Sequence, residues 1–183
     1  MNEFSVIKKY FSNLSKNNRG TFDLSDDIFF DYKKKVGISI DTYVEGTHFL
    51  NFKNPNLVIK KALRGAISDL ICKGIIPKYY FMSCSGNKKH FTEENLAKIR
   101  LDLKQEQKKY NIFLAGGDTS YSSRLSITFS VVGYSKKSPV LRSGAKVNDD
   151  IYITNTIGDS FIGLRLLTGK IRLSKKKKRL FYK

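Results

Sequence analysis

Apolar residues along this chain switch period several times, and each switch marks an element. Phe4, Ile7, Tyr10, Phe11 and Leu14 recur at helical spacing. They predict a helix over 3–14 whose apolar stripe packs inward, ended by the polar turn SKNNRG. Val36, Ile38 and Ile40 alternate with small residues and predict a strand over 36–41. Ile59, Ala62, Leu63, Ala66, Ile67, Leu70 and Ile71 then mark a long helix stopped by Gly74 and Pro77. YYFMSC, residues 79–84, reads as the next strand. Thr92 can cap a helix running to about Tyr110, and IFLA enters a short buried strand that breaks at Gly116 and Gly117. LSITFSVVGY alternates as a half-buried strand, and the turn SGAKVNDD leads into a strand at IYIT. A last helix spans about Asp159 to Leu167 and is closed by Gly169. The alternation predicts an α/β or α+β fold with a mixed sheet flanked by helices, without repeats or an obvious linker.

Composition narrows the class. With 183 residues, 40% hydrophobic and 13% aromatic, the chain can bury a core and is not compositionally disordered. No apolar run approaches the roughly 18 residues that cross a bilayer, and MNEFSVIKKYFSNL has no signal-peptide core, so the expected place is the cytosol and no membrane partner is expected. Cys72 and Cys84 carry no metal or redox spacing and are expected to be buried and reduced. The net charge of +18 raises nucleic acid as a partner. Yet eight of the basic residues, and no acid, fall in the last fourteen, KIRLSKKKKRLFYK. No base-reading module accompanies them, so nucleic acid is not the expected main partner.

Candidate chemistry lies in the acids. Asp26 and Asp27 follow the first helix, Asp41 ends a strand, Asp69 sits on the long helix, and Asp118 follows two glycines. Four separate elements each present a carboxylate near an apolar boundary. Isolated buried carboxylates are costly, so acids that converge usually share a cation. Hard oxygen donors with almost no Cys or His point to Mg²⁺. Taken singly, Asp27 as a turn cap, Asp118 as an Asx turn and Asp41 as an exposed strand end are more ordinary readings than a metal site. Asp69, flanked by Ile67, Leu70 and Ile71, is the hardest to explain without a partner.

IDTYVEGTHF, with its Asp41, Glu45 and His48, resembles the signature of the thiamine-monophosphate kinase family, a strand end followed by a Val-Glu-Gly-x-His-Phe turn. Five further segments agree in order: MNEFSVIKKYF with the family's first helix, DLSDDIFF with its paired-aspartate loop, KALRGAISDLICKGIIPKYYFMS with its helix-strand unit, LAGGDTS with its glycine-aspartate turn, and LRSGAKVNDDIYITNTIGDSFIGL with its closing segment. The resemblance implies a PurM-like amino-terminal domain over 1–155 and the start of a second domain over 156–183. It also implies a homodimer whose sheets pair into a barrel, and ATP-dependent phosphorylation of thiamine monophosphate to thiamine diphosphate.

Carried over residue by residue, it implies Mg²⁺ at Asp27, Ser39, Ile40 through its backbone, Asp41, Asp69 and Asp118. ATP falls to Gly117, Asp118 and Arg142, the substrate to His48, and the catalytic weight to Asp69 and Asp118. The chain departs from the family at Ser25, where glycine is usual, and at Leu101 and Asp102, where a nucleotide-contacting aromatic is missing. Family members also continue into a second α/β domain. Related readings are the aminoimidazole ribonucleotide synthetase and hydrogenase-maturation types, selenophosphate synthetase lacking its reactive Cys here. A truncated dimerising module that binds polyanions is the reading from another class.

Overall fold

Ile127, Phe129 and Val131 are buried while Thr128 and Ser130 between them are not, the signature of a strand with one covered face. In the computed structural model, which describes residues 2–154 and 156–174, that strand is the centre of a five-stranded mixed sheet. In chain order the strands are β1 (Ile28–Asp31), β2 (Val36–Val44), β3 (Ile76–Gly86), β4 (Phe113–Tyr121) and β5 (Ser126–Tyr134). They lie in the order β1-β2-β5-β3-β4. All neighbours are antiparallel except β3 and β4, which run parallel around an intervening helix.

One face of the sheet is covered by α2 (Pro55–Ile71), which begins with a proline at a first-turn position where its missing N–H costs nothing. Its buried stripe includes Val58, Ile59, Ala62, Leu63, Ala66, Ile67 and Leu70. α3 (Glu93–Tyr110) packs beside α2. Its Thr92 cap accepts a hydrogen bond from the Asn95 N–H at 3.2 Å, and Asn111 closes it in the left-handed conformation. Ion pairs join the two helices, Lys60 to Asp102 at 3.0 Å and a two-pronged Arg64 to Glu106 at 2.7 Å.

Several expectations are corrected. The amino-terminal segment is helical but uneven: α1 (Glu3–Val6) widens into a π turn (Ile7–Phe11) and tightens into a 3-10 turn (Ser12–Ser15). Its stripe does not pack inward, since Phe4, Tyr10, Phe11 and Leu14 are exposed. β4 runs through Gly116 and Gly117 without breaking and is exposed along its whole length, an edge strand that no helix among the described residues packs over closely, unlike β1 at the other edge, whose Ile28 and Phe30 are buried. β1 forms at residues read as part of a loop, and IYIT is not a strand. Cys84 is buried, but Cys72, one residue past α2, is exposed.

Residues Met1–Ser143 and Gly144–Lys183 form two compact units. The first holds the whole sheet with α1 to α3. The second holds α4 (Asp159–Leu167), entered through Gly158 at φ 100° and left through Gly169 at φ 70°. The lysine run of the basic tail, from Lys175, lies outside the described residues. Among the described residues no helix is long and apolar enough to cross a membrane.

Candidate functional site

Strand parity aims Asp41 at the helices. It pairs across the sheet with Phe129, a core residue, so its carboxylate rises from the face that α2 covers. α2 approaches there at Gly65, where a Cβ would run into the Tyr43 hydroxyl and come within 3.0 Å of Asp41 Oδ2. One helical turn further on, Asp69 faces the same space. The paired aspartates reach it from the other side, after three successive residues in the left-handed region, Phe22, Asp23 and Leu24 at φ 51°, 52° and 56°, have turned the chain back toward the sheet. Asp26, Asp27, Ile40, Asp41, Asp69 and Arg142 thus line one cavity of about 270 Å³.

The acids in this cavity are unequally compensated. Burial opposes ionisation of Asp26, but the Lys73 ammonium and the N–H groups of Arg142 and Asp27 overcome it and hold its carboxyl below the usual range. Arg142 grips Asp27 with its fork, Nε to Oδ2 at 2.9 Å and Nη2 to Oδ1. Neither Asp41 nor Asp69 has an ion-pair partner among the described residues. Burial, followed by the charges of Asp41 and Asp27, pushes Asp69 up to about 6. Burial and the Asp27 charge likewise raise Asp41. Two under-compensated carboxylates beside a third are a donor set that a hard dication would relieve. Among the described residues no three carboxylate, His or Cys groups are drawn close enough to form a finished ligand cluster, and the Asp27 carboxylate is occupied by Arg142.

The turn after β2 presents His48 beyond this cavity. The Val44 N–H donates to His48 Nδ1 at 3.0 Å, which places the imidazole proton on the outward Nε2. Lys61 Nζ donates to the His48 carbonyl at 2.6 Å, and the Tyr43 ring lies 5.4 Å from the imidazole. Glu45 accepts from His90 Nε2 at 3.1 Å, and His90 Nδ1 accepts from the Asn87 N–H. That pair ties the turn to the segment after β3.

Asp118 is not brought into this group. Its row across the sheet is Asp118, Ser83, Thr128, Thr42, one residue out of step with the row of Asp41, Phe129, Met82 and Gly117. Its side chain therefore stands on the open face, three inter-strand steps or ~14 Å from Thr42. That open face is rich in hydroxyls, with Thr42 bonded to Thr128 at 2.9 Å and Ser85 to Ser120 at 2.6 Å. Ser39 is buried and donates to the Ala66 carbonyl at 2.7 Å, pinning β2 to α2 beside Asp41.

Residues 25–135 match the family described as AIR synthase related protein, N-terminal domain. The chain belongs to that family. It is 38% identical over 177 residues to the thiamine-monophosphate kinase of Buchnera aphidicola subsp. Acyrthosiphon pisum (strain APS), covering 92% of this chain and 53% of that protein. Among solved structures it is similar to the thiamine monophosphate kinase of Aquifex aeolicus, with 27% identity and a TM-score of 0.75 over 85% of this chain and 52% of the other. It is also similar to a structure described as AaThiL complexed with AMPPCP and TMP, at 27% identity and TM-score 0.81 over 94% and 54%. The chain spans about half the length of the curated relatives it matches.

Within this family frame, two departures acquire a structure. Ser25 sits at φ −100°, where glycine is not required, and its hydroxyl donates to the Phe22 carbonyl at 2.6 Å. Asp102 is buried and paired with Lys60 beside an exposed Leu101. Sequence reasoning missed Asp26 as a charge anchor, Lys73, Tyr43 and His90. Only Lys73 left a local trace, a cation two residues past the end of α2 and just before the Gly74 stop, where a helix end attracts positive charge.

Proposed function

We propose that this chain is the ATP- and Mg²⁺-binding half of a kinase that transfers the γ-phosphate of ATP to thiamine monophosphate, giving thiamine diphosphate. The observation that carries the reading is the convergence of Asp27, Asp41, Asp69 and Arg142 on one cavity beside the Val-Glu-Gly-Thr-His-Phe turn. Likeness to thiamine-monophosphate kinases over most of the chain supports the choice of substrate.

The acceptor phosphate is already a nucleophile, so the chain needs neither a covalent intermediate nor a strong base. Asp27, Asp41 and Asp69 would hold Mg²⁺, with Ile40 contributing from the cavity wall and Ser39 fixing the strand behind it. Bound magnesium supplies charge neutralisation for crowded phosphate oxygens. Arg142, once exchanged off Asp27, offers its fork to phosphate oxygens. His48 presents its Nε2–H to the acceptor. Gly116 and Gly117 let nucleotide approach the β4 backbone, with Asp118 beside it.

In this reading the exposed β4 and the hydroxyl-rich face lie against a second copy in a homodimer whose sheets pair into a barrel. Residues 1–155 are the nucleotide and metal domain, 156–183 begin a second domain, and the protein works in the cytoplasm. The test is product formation from purified protein, ATP, Mg²⁺ and thiamine monophosphate, with thiamine diphosphate separated by chromatography. EDTA-sensitive product is the expected result. Absence of product from both this chain and a version extended to the length of its relatives would reject the substrate.

A further inference from the structure

Lys73 does not line the acidic cavity but stands behind its wall, on Asp26, and the kinase reading leaves it unused. It follows α2 by two residues, and its side chain is only 5% exposed, against an Asp26 side chain at 4%. A buried ammonium is costly unless a carboxylate and good geometry answer it, and both are present: Nζ lies 2.7 Å from Asp26 Oδ1 and 3.9 Å from Asp27 Oδ2. Two further acceptor sites of Asp26 are taken, by the Asp27 N–H at 2.8 Å and the Arg142 N–H at 3.0 Å. The Lys73 carbonyl in turn accepts from the Val140 N–H at 3.1 Å. One lysine therefore ties the end of α2, the paired-aspartate loop and the segment carrying Arg142 into a single unit.

We infer that Lys73 is a resident cation behind this cavity, a positioning residue that removes Asp26 from metal ligation and shares the charge of Asp27, so that it sets how many divalent cations the cavity takes and how tightly. The inference rests on the metal reading given above. Of the two cations at the paired aspartates, Lys73 is enclosed and permanent, whereas the Arg142 side chain is half exposed and free to exchange. Asp41 and Asp69, with Glu3, which also lines the cavity, and whatever share of Asp27 Arg142 releases, are then the acids left for a metal. Without the ammonium, Asp26 and Asp27 together become an additional dication site on the same wall.

Mn²⁺ tests this directly, with free ion counted by its electron paramagnetic resonance signal in titrations of the full chain and without any substrate. Lys73→Met is expected to take up one further Mn²⁺ per chain or to bind it about tenfold more tightly, and Lys73→Arg to behave as wild type. Asp26→Asn should do the opposite, since the freed ammonium moves to Asp27, and weaken Mn²⁺ binding about tenfold. Circular dichroism establishes that each variant is folded, and if Lys73→Met is not, Lys73→Gln takes its place. Opposite shifts in the two variants support the inference, whereas a weakening in Asp26→Asn with Lys73→Met unchanged overturns it, because that is the pattern of Asp26 acting as a ligand itself. Wild-type uptake unchanged by both variants overturns it while leaving the metal reading intact. A wild type that takes up no Mn²⁺ overturns both.

Discussion

Replacing Asp69 by Asn should stabilise the metal-free protein while removing its response to divalent cation. Burial, and then the charges of Asp41 and Asp27, raise the Asp69 carboxyl from 3.8 to about 6. A shift of about two units corresponds to about 3 kcal/mol spent on keeping this carboxylate ionised in the folded state. Solvent access in the cavity reduces the measurable part to about 1–2 kcal/mol. The sign follows from the raised folded value: the penalty is absent below about pH 3.8, grows through the window up to about pH 6, and is complete above it. Asp69→Asn carries no such penalty.

Urea unfolding in EDTA should therefore find Asp69→Asn more stable at pH 7.5, with about half that advantage left at pH 5. In thermal melts each kcal/mol appears as about 2–4 °C for a chain of this size. Added Mg²⁺ should then raise the melting temperature of the wild type and leave the variant nearly unmoved. A variant equal to or less stable than wild type at pH 7.5, or one whose advantage does not shrink on acidification, would refute the electrostatic account of the cavity.

Three further outcomes are expected. Arg142→Lys keeps the charge and loses the two-pronged geometry, so the affinity for a non-hydrolysable ATP analogue, read by calorimetry, should fall about tenfold. Arg64→Met leaves Glu106, 2% exposed, buried without its partner, and should cost about 3–5 kcal/mol in urea unfolding, with Arg64→Lys recovering part of it. In Gly117→Ala the new Cβ collides with the Met82 backbone carbonyl. Amide exchange should then show 113–121 losing protection while β2 and β5 keep theirs, at a cost of about 2 kcal/mol or more.

The elements legible in the sequence are those whose burial follows a local period. The α2 stripe, the alternation of β5 and the Thr92 cap could be read because each sets its own environment through neighbours three, four or two residues away. The individual acids of the candidate site could be read as well, since Asp27, Asp41 and Asp69 each stand at a recognisable element boundary or on an apolar helix. Their meeting could not. It depends on Gly65 letting α2 close on β2 and on left-handed residues turning the paired-aspartate loop back.

The amino-terminal stripe shows the limit from the other side: helical spacing predicts a helix, but burial also needs a partner surface, and Phe4 and Leu14 remain exposed. Asp118 shows it most sharply. The sequence places it after two glycines, and a single residue of register decides that it faces away from Asp41. Lys73 with Asp26, and His90 with Glu45, join residues 47 and 45 positions apart. Charge pairing acts over ångströms in space and leaves no period in the chain, so only the tertiary structure could assign these partners.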